Sequence, residues 1–153
     1  MPGKTFPISL NLQDRPVLVV GGAETAARKL RLLLDHAARL TVIAPGEIVQ
    51  EIAELAAAGR IVLHARPFTE LDAFGHTVIF SAAGEPVDNE VAAAARAANI
   101  PVNVVDRPDL SDFLMPAIVE RGPVTVAIST DGTAPVLARL LREKIEALLP
   151  ARL

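Results

Sequence analysis

The feature that most constrains the fold is an apolar run that ends directly in two glycines. Val17–Val20 reads VLVV and is followed by Gly21 and Gly22, after which apolar residues recur at helical spacing. A buried strand, a tight turn and a helix together begin a βαβ unit. The dinucleotide-binding spacing G-x-G-x-x-G/A is met at Gly21 and Ala26, but Ala23 occupies the second glycine position. The motif alone leaves two alternatives, a cofactor site or only a tight turn.

The same alternation of strand-like and helix-like segments continues as far as Asp106. The patterns predict helices over about Glu24–Ala38, Gly46–Gly59 and Val87–Asn99, and further strands over Arg39–Pro45, Arg60–Phe68, His76–Ala83 and Ile100–Asp106. Apolar strands separated by helices favour a parallel sheet covered on both faces. We therefore predict an α/β fold, a doubly wound parallel sheet of the Rossmann-like, NAD-binding kind.

The pattern changes after Asp106. The segment FLMPAIVERGPVTVAIST predicts two strands around a turn at Arg121-Gly122-Pro123, and a last helix is predicted from about Ala134 to Leu148. About forty residues are too few to form a good core alone. We predict a domain over residues 1–112 and a small α+β region over 113–153, which either completes the first domain or packs against another subunit.

Composition excludes several classes of function. The net charge of −3 and the absence of Trp and Tyr argue against binding to nucleic acid or to an anionic membrane. The absence of Cys excludes disulfides and thiolate chemistry, and the three His residues are scattered, so we predict no metal site. The N-terminus lacks a signal-peptide core and no apolar run reaches membrane-spanning length, which predicts a soluble, cytoplasmic protein.

Ligands of an open parallel sheet bind beyond the carboxyl ends of its strands. In this chain those ends are Gly21–Thr25, Ala44–Gly46, Ser81–Glu85 and Val105–Arg107. The helix that follows the glycines would offer backbone N–H groups to a pyrophosphate. The methyl of Ala23 would weaken that contact, by about 1–3 kcal/mol if the strain cannot relax. The second strand ends without an arginine for a 2′-phosphate, which favours NAD over NADP.

Two polar segments remain ambiguous on local sequence. Asp106 ends an apolar strand at the ligand edge, where burial would tune it for proton exchange, or it is simply a turn carboxylate before Arg107. Ser129, Thr130 and Thr133 crowd the start of the last helix, where at least one of them is expected to cap it. The same hydroxyl groups would alternatively bind carboxylates.

The whole chain resembles the N-terminal module of the sirohaem synthase family, which is a precorrin-2 dehydrogenase and sirohydrochlorin ferrochelatase. The motifs that carry the resemblance are VLVVGGAETAARKLRLLL, ARLTVIAP, NVVDRPDLSDFLMPAIVERGPVTVAIST and APVLARLLREKIEALLP. This resemblance implies that Asp106 is catalytic. It implies cofactor contacts at Gly21, Gly22, Ala23, Glu24, Thr25, Pro45, Gly46, Ser81 and Ala82, and substrate contacts at Arg107, Ser129, Thr130 and Thr133.

The implied activity is the NAD-dependent dehydrogenation of precorrin-2 to sirohydrochlorin by a homodimer, with ferrous iron as a second substrate if chelation is retained. The chain departs from the family pattern at Ala23, at Ala82–Glu85 and at Asp131, and it stops at Leu153, before a further helical segment. These departures keep two alternatives open. One is a non-catalytic dimeric module that binds a dinucleotide or a tetrapyrrole, and the other is a chelatase without NAD chemistry.

Overall fold

The computed structural model describes residues 3–36 and 38–152. Ala37, which the helical pattern assigns to the first helix, lies outside the described residues. The chain divides into two compact units, which are described separately below. One unit is Pro7–Phe113, and the other runs from Leu114 to the C-terminal end and includes the few residues before Pro7. The predicted boundary after residue 112 is close to this division, whereas dimerisation by the second unit stays a prediction.

The first unit is a five-stranded parallel sheet with helices between its strands. The strands are β1 (Pro16–Val20), β2 (Arg39–Ile43), β3 (Val62–His64), β4 (Val78–Ser81) and β5 (Val102–Val104), in the order β3-β2-β1-β4-β5. The helices are α1 (Glu24–Asp35), α2 (Gln50–Ala57) and α3 (Val87–Ala97), with 3₁₀ helices at Glu70–Ala73 and Pro108–Leu110. The predicted doubly wound, Rossmann-like fold is confirmed.

Strand β1 occupies the centre of this sheet. It pairs with β2 on one side and with β4 on the other, both in parallel, and Val17–Val20 are completely buried. A central parallel strand is covered on both faces, which explains why this run is continuously apolar rather than alternating. The chain proceeds outward through β2 and β3 and then returns to β4 on the other side of β1. That reversal creates a crevice at the carboxyl end of β1, where folds of this type bind ligands.

A buried polar contact fixes the end of β4 to the first turn of α3. The Ser81 hydroxyl donates a hydrogen bond of 2.6 Å to Asp88 Oδ1, and the Ala83 N–H donates one of 3.1 Å to the same oxygen. Asp88 is only 5% exposed. A buried carboxylate requires such donors, because burial without them is costly. The pair therefore determines where the chain leaves β4.

The second helix is shorter than its sequence pattern predicts. It begins at Gln50 rather than near Gly46, with Val49 as an extended N-cap residue. The Val49 N–H donates a hydrogen bond of 2.8 Å to the Gly22 carbonyl, which holds residues 46–49 as a loop against the first turn. The predicted start of this helix near Gly46 is therefore wrong, because the backbone preceding Val49 packs against the glycines.

The second unit consists of an antiparallel hairpin and a helix. Strands β6 (Ala117–Arg121) and β7 (Val124–Ile128) pair around the predicted turn, and α4 spans Pro135–Leu148. Ala138 is the buried residue of α4, whereas Leu137, Leu140, Leu141 and Leu148 are 50%, 47%, 38% and 82% exposed. The hairpin and the remaining residues of this unit therefore bury only part of the apolar face of α4. In the described part of the chain, no helix is long and apolar enough to cross a membrane.

We expect Asp88→Ala to lower the free energy of unfolding by about 1–3 kcal/mol, because it leaves the Ser81 hydroxyl and the Ala83 N–H buried without an acceptor. Glu90→Ala is the matched control, since it removes an equal charge from the exposed side of the same helical turn. Urea unfolding of both variants measures the difference. Equal unfolding midpoints would contradict the structural role of Asp88.

Candidate functional site

The carboxyl ends of four strands form one continuous edge of the first unit. The Gly21 N–H donates to the Ile43 carbonyl at 2.8 Å, and the Ala82 N–H donates to the Val20 carbonyl at 2.8 Å. The Val105 N–H in turn donates to the Ser81 carbonyl at 3.0 Å. These bonds link the ends of β1, β2, β4 and β5. The predicted segments Gly21–Thr25, Ala44–Gly46, Ser81–Glu85 and Val105–Arg107 therefore lie along one edge.

Both glycines of the β1–α1 turn are required by neighbouring backbone. Gly21 has φ of +132°, and a Cβ there would lie 2.6 Å from the Ala82 carbonyl oxygen. A Cβ on Gly22 would lie 2.2 Å from the Glu47 carbonyl oxygen. Side chains at either position would collide with atoms that cannot rotate away. The tight turn is thus a consequence of how closely the loops after β2 and β4 approach β1.

Ala23 causes no backbone strain. It is the N-cap residue of α1, with φ of −90° and ψ of −172°, an extended conformation that any residue adopts. Alanine has no side-chain oxygen, and α1 accordingly lacks a side-chain cap. The backbone N–H groups of the first turn therefore have no acceptor on the N-cap side chain. An uncapped helix start after a glycine turn fits the phosphates of a dinucleotide.

Glu24 is directed along the outside of α1. Its carboxylate lies 2.9 Å from Arg31 Nη2, and the same Arg31 also makes hydrogen bonds of 2.7 Å to both carboxylate oxygens of Glu51. The pairing neutralises the acidic charge nearest the glycine turn, which would otherwise repel an anion. Thr25 is half-buried at the same turn. Roles of Glu24 and Thr25 in cofactor binding stay predictions.

The loop after β2 presents an open surface. Pro45 and Gly46 are exposed, and a Cβ on Gly46 would have nothing within 4 Å. Ala44, which precedes them, is buried and bonded through its N–H to the His64 carbonyl at 3.0 Å. An anchored strand end followed by exposed proline and glycine provides apolar and backbone surface for a flat ligand group.

The Ser81 side chain is not exposed at this edge, and a cofactor contact by Ser81 stays a prediction. Ser81 is 0% exposed, and its hydroxyl donates to Asp88 in the interior. Since side chains alternate between the two faces of a strand, the last residue of β4 is turned towards α3 and away from solvent. Ala82 follows it, half-buried, with its carbonyl oxygen facing Gly21. A contact by Ala82 at this edge stays a prediction.

Asp106 lies in a tight turn directly after β5. The Arg107 N–H donates to the Val104 carbonyl at 3.0 Å, and Asp106 has φ of +62°, a left-handed conformation that aspartate tolerates better than most residues. Asp106 is exposed. Of the two alternatives that the sequence leaves open, the turn carboxylate is the one observed, because the turn carries Asp106 out of the apolar strand. A strained residue held at a ligand edge is often functional.

Arg107 is already paired with two carboxylates. Its guanidinium makes hydrogen bonds of 3.0 and 2.8 Å to the two Asp109 oxygens and also contacts Glu85. Asp109 is the main cause of a raised pKa for Arg107, and in return Arg107 lowers the pKa of Asp109. A substrate carboxylate that binds Arg107 would compete with these two carboxylates.

Lys29 is a charged residue at this site that the sequence patterns did not select. Its ammonium lies 5.9 Å from the centroid of the Phe80 ring on β4. Partial burial lowers the pKa of Lys29, the neighbouring Arg28 lowers it further, and the charge of Asp106 raises it. Helical spacing could have identified Lys29 from the sequence. It follows Ala26 by three residues and precedes Leu33 by four, and both of these residues are buried, so Lys29 lies beside the apolar stripe of α1.

The predicted hydroxyl residues of the second unit close a turn before α4. Thr133 donates through its hydroxyl to the Thr130 carbonyl at 2.6 Å, and Thr130 Oγ1 accepts from the Ala134 N–H at 3.2 Å. Ser129 Oγ accepts from the Asp131 N–H at 3.3 Å. The expected side-chain cap of α4 is wrong, because the N-cap is Ala134 followed by Pro135. Binding of substrate by Ser129, Thr130 and Thr133 stays a prediction.

Asp131 is not an isolated negative charge in that turn. The Thr5 N–H donates to Asp131 Oδ1 at 3.0 Å, and the Thr5 hydroxyl contacts the same oxygen. These hydrogen bonds lower the pKa of Asp131.

Within residues 3–36 and 38–152, no group of three or more His, Cys, Asp or Glu side chains is arranged to hold a metal ion.

Comparison with protein-family models gives two matches. Residues 8–117 match a family described as "Putative NAD(P)-binding", and residues 121–148 match the family described as "Sirohaem biosynthesis protein central". Together the two matches account for most of both structural units.

Similar proteins carry related names. The chain is 53% identical over 149 residues to the siroheme synthase of Methylococcus capsulatus and 51% identical over 147 residues to that of Ectopseudomonas mendocina, covering 96% and 95% of this chain. It spans 31% of the length of each of these relatives. Among solved structures it is similar to SirC, precorrin-2 dehydrogenase, with a TM-score of 0.78 and 28% identity over 96% of this chain and 72% of that one.

We expect Gly22→Ala to destabilise the first unit by about 1–3 kcal/mol, because the added methyl would meet the Glu47 backbone. Gly46→Ala is the matched control, since the same methyl there enters open space. Thermal unfolding compares the two variants. If both unfold alike, the close approach of Gly22 to Glu47 is not what requires glycine.

Proposed function

This chain belongs to the family described as "Putative NAD(P)-binding", and from that premise and its similarity to siroheme synthases we propose that it catalyses the NAD-dependent dehydrogenation of precorrin-2 to sirohydrochlorin. The observation that carries the proposal is the juxtaposition, along one sheet edge, of an uncapped helix start after two obligatory glycines and the exposed carboxylate of Asp106. The similarity to a solved precorrin-2 dehydrogenase supports the choice of substrate.

In this proposal the β1–α1 turn holds the dinucleotide. The N–H groups at the start of α1 bind its phosphates, and the neutralised Glu24 does not oppose them. Ala44, Pro45 and Gly46 provide the surface for the adenosine, and the Ala82 backbone lies beside the turn. When bound, NAD supplies a hydride acceptor.

Asp106 handles the proton in this reaction. Dehydrogenation removes two hydrogens from the macrocycle, one as hydride and one as a proton, and the second requires a base. The exposed carboxylate of Asp106, held by its turn after β5, accepts that proton and releases it to solvent. The other contributions of the protein are to position the two reactants.

Three further parts of the proposal concern partners and place. The apolar stripe of α4, exposed at Leu137, Leu140 and Leu148, supports a homodimer. The siroheme synthase relatives support ferrous iron as a further substrate, with Asp106 accepting pyrrole protons as the iron enters. A cytoplasmic location rests on the sequence.

We expect Asp106→Asn to abolish turnover of precorrin-2 while leaving the affinity for NAD within about twofold. Asparagine tolerates a positive φ, so the turn is preserved while the carboxylate is lost. Turnover is followed by NADH absorbance, and NAD affinity by calorimetry. Glu47→Gln, which removes an exposed acid at the same edge, is the control and is expected to remain active. Full activity of Asp106→Asn would contradict the assigned role, and absence of NAD binding by the wild-type protein would contradict the dehydrogenase.

We expect Ala23→Gly to tighten NAD binding by up to about tenfold, because it removes a methyl from the approach of the phosphates to the N-cap of α1. Calorimetric titration of both proteins with NAD measures the change. Unchanged affinity would mean that the phosphates do not approach residue 23.

A further inference from the structure

The cations at the ligand edge differ in whether they already have a partner. Arg31 is paired with Glu24 and Glu51, and Arg107 with Asp109 and Glu85. Lys29 differs from both. Within the part of the chain that the structure describes, its ammonium makes the contact with the Phe80 ring but no salt bridge or hydrogen bond.

The contact with Phe80 holds Lys29 at a defined place. Phe80 is 3% exposed, and its ring packs edge-on against Phe113 with centroids 5.5 Å apart and planes at 89°. The Phe113 carbonyl in turn accepts a hydrogen bond of 2.9 Å from Asn103 Nδ2 on β5. A packed ring is a rigid surface for the lysine stem, and cation–π attraction uses none of the three N–H donors of the ammonium.

The charge of Asp106 reaches Lys29 and raises its pKa, although burial and Arg28, the larger causes, lower that pKa. Their electrostatic interaction is attractive, although the two groups form no salt bridge. An exposed carboxylate alone would repel a polycarboxylate substrate. A cation near it offsets that repulsion, and a half-buried ammonium with free donors can donate a charge-assisted hydrogen bond to an anion.

We propose that Lys29 is an anion-binding residue of this site and that its ammonium receives a carboxylate of the tetrapyrrole beside Asp106. This inference rests on the proposed function, since it names the group that recognises its substrate. Lys29 thereby performs the role that the resemblance to the family implies for Arg107, which is already paired with two carboxylates. It orients the macrocycle and takes no part in proton transfer.

The test compares Lys29→Met, Lys29→Arg and Arg28→Met. Methionine retains an apolar stem over Phe80 without the charge, arginine retains the charge, and Arg28 is an exposed cation one residue earlier on the same helix. Binding of sirohydrochlorin is measured by absorbance titration at several salt concentrations. Calorimetry with NAD and urea unfolding report on the cofactor site and on folding.

We expect Lys29→Met to weaken sirohydrochlorin binding by about tenfold and to reduce its dependence on salt, while Lys29→Arg retains most of the affinity. NAD affinity and the binding of sirohydrochlorin by Arg28→Met should not change. Equal sirohydrochlorin affinity of wild type and Lys29→Met would overturn this inference and leave the dehydrogenase standing. A loss of NAD affinity instead would also overturn it, since Lys29 would then serve the dinucleotide. Absence of sirohydrochlorin binding by the wild-type protein would overturn the inference and the proposed substrate together.

Discussion

The close approach of three backbone segments at the end of β1 is the constraint on which the ligand edge depends. Gly21 faces the carbonyl of Ala82 and Gly22 faces that of Glu47, at distances that exclude any side chain. The hydrogen bond from Val49 to Gly22 belongs to the same contact. Because these loops meet around two glycines, α1 starts at a fixed point relative to the ends of β2 and β4. The positions of the phosphate-binding groups follow from that packing.

The sheet could be predicted from sequence because its strands are apolar runs bounded by helical periodicity. A local sequence pattern contains no information about contacts with residues distant in the chain. The differences between the predicted and the observed structure occur where such contacts decide the conformation. The loop before α2 is held in a non-helical conformation by the hydrogen bond from the Val49 N–H to the Gly22 carbonyl. No local pattern at residues 46–49 reveals this contact. No pattern at the end of β4 reveals that the Ser81 hydroxyl donates to Asp88, seven residues later, in the interior. Lys29 was not selected from the sequence, although residues Ala26, Leu30 and Leu33 around it on the helix are buried.

Charge pairing explains how an acidic chain can present an anion site. Four acids at or near the edge are engaged by arginines: Glu24 and Glu51 by Arg31, and Glu85 and Asp109 by Arg107. These pairs are exposed, so each contributes little to stability. Their effect is instead on the local field, since paired carboxylates no longer repel an incoming anion. Among the described residues, Asp106 and Lys29 are oppositely charged groups that form no salt bridge, which leaves both available to a ligand.

The alanine at the N-cap of α1 has a thermodynamic consequence for the helix itself. A serine or aspartate there would satisfy the first-turn amides within the chain, whereas Ala23 leaves that role to whatever anion binds. A bound phosphate is then the missing cap, and the free energy that holds it also secures the beginning of α1. By linkage, the order of the first helical turn rises with the concentration of free ligand. Ligand binding and local opening of the first helical turn are therefore coupled, so that the fraction of opened turns falls as the fraction of occupied sites rises.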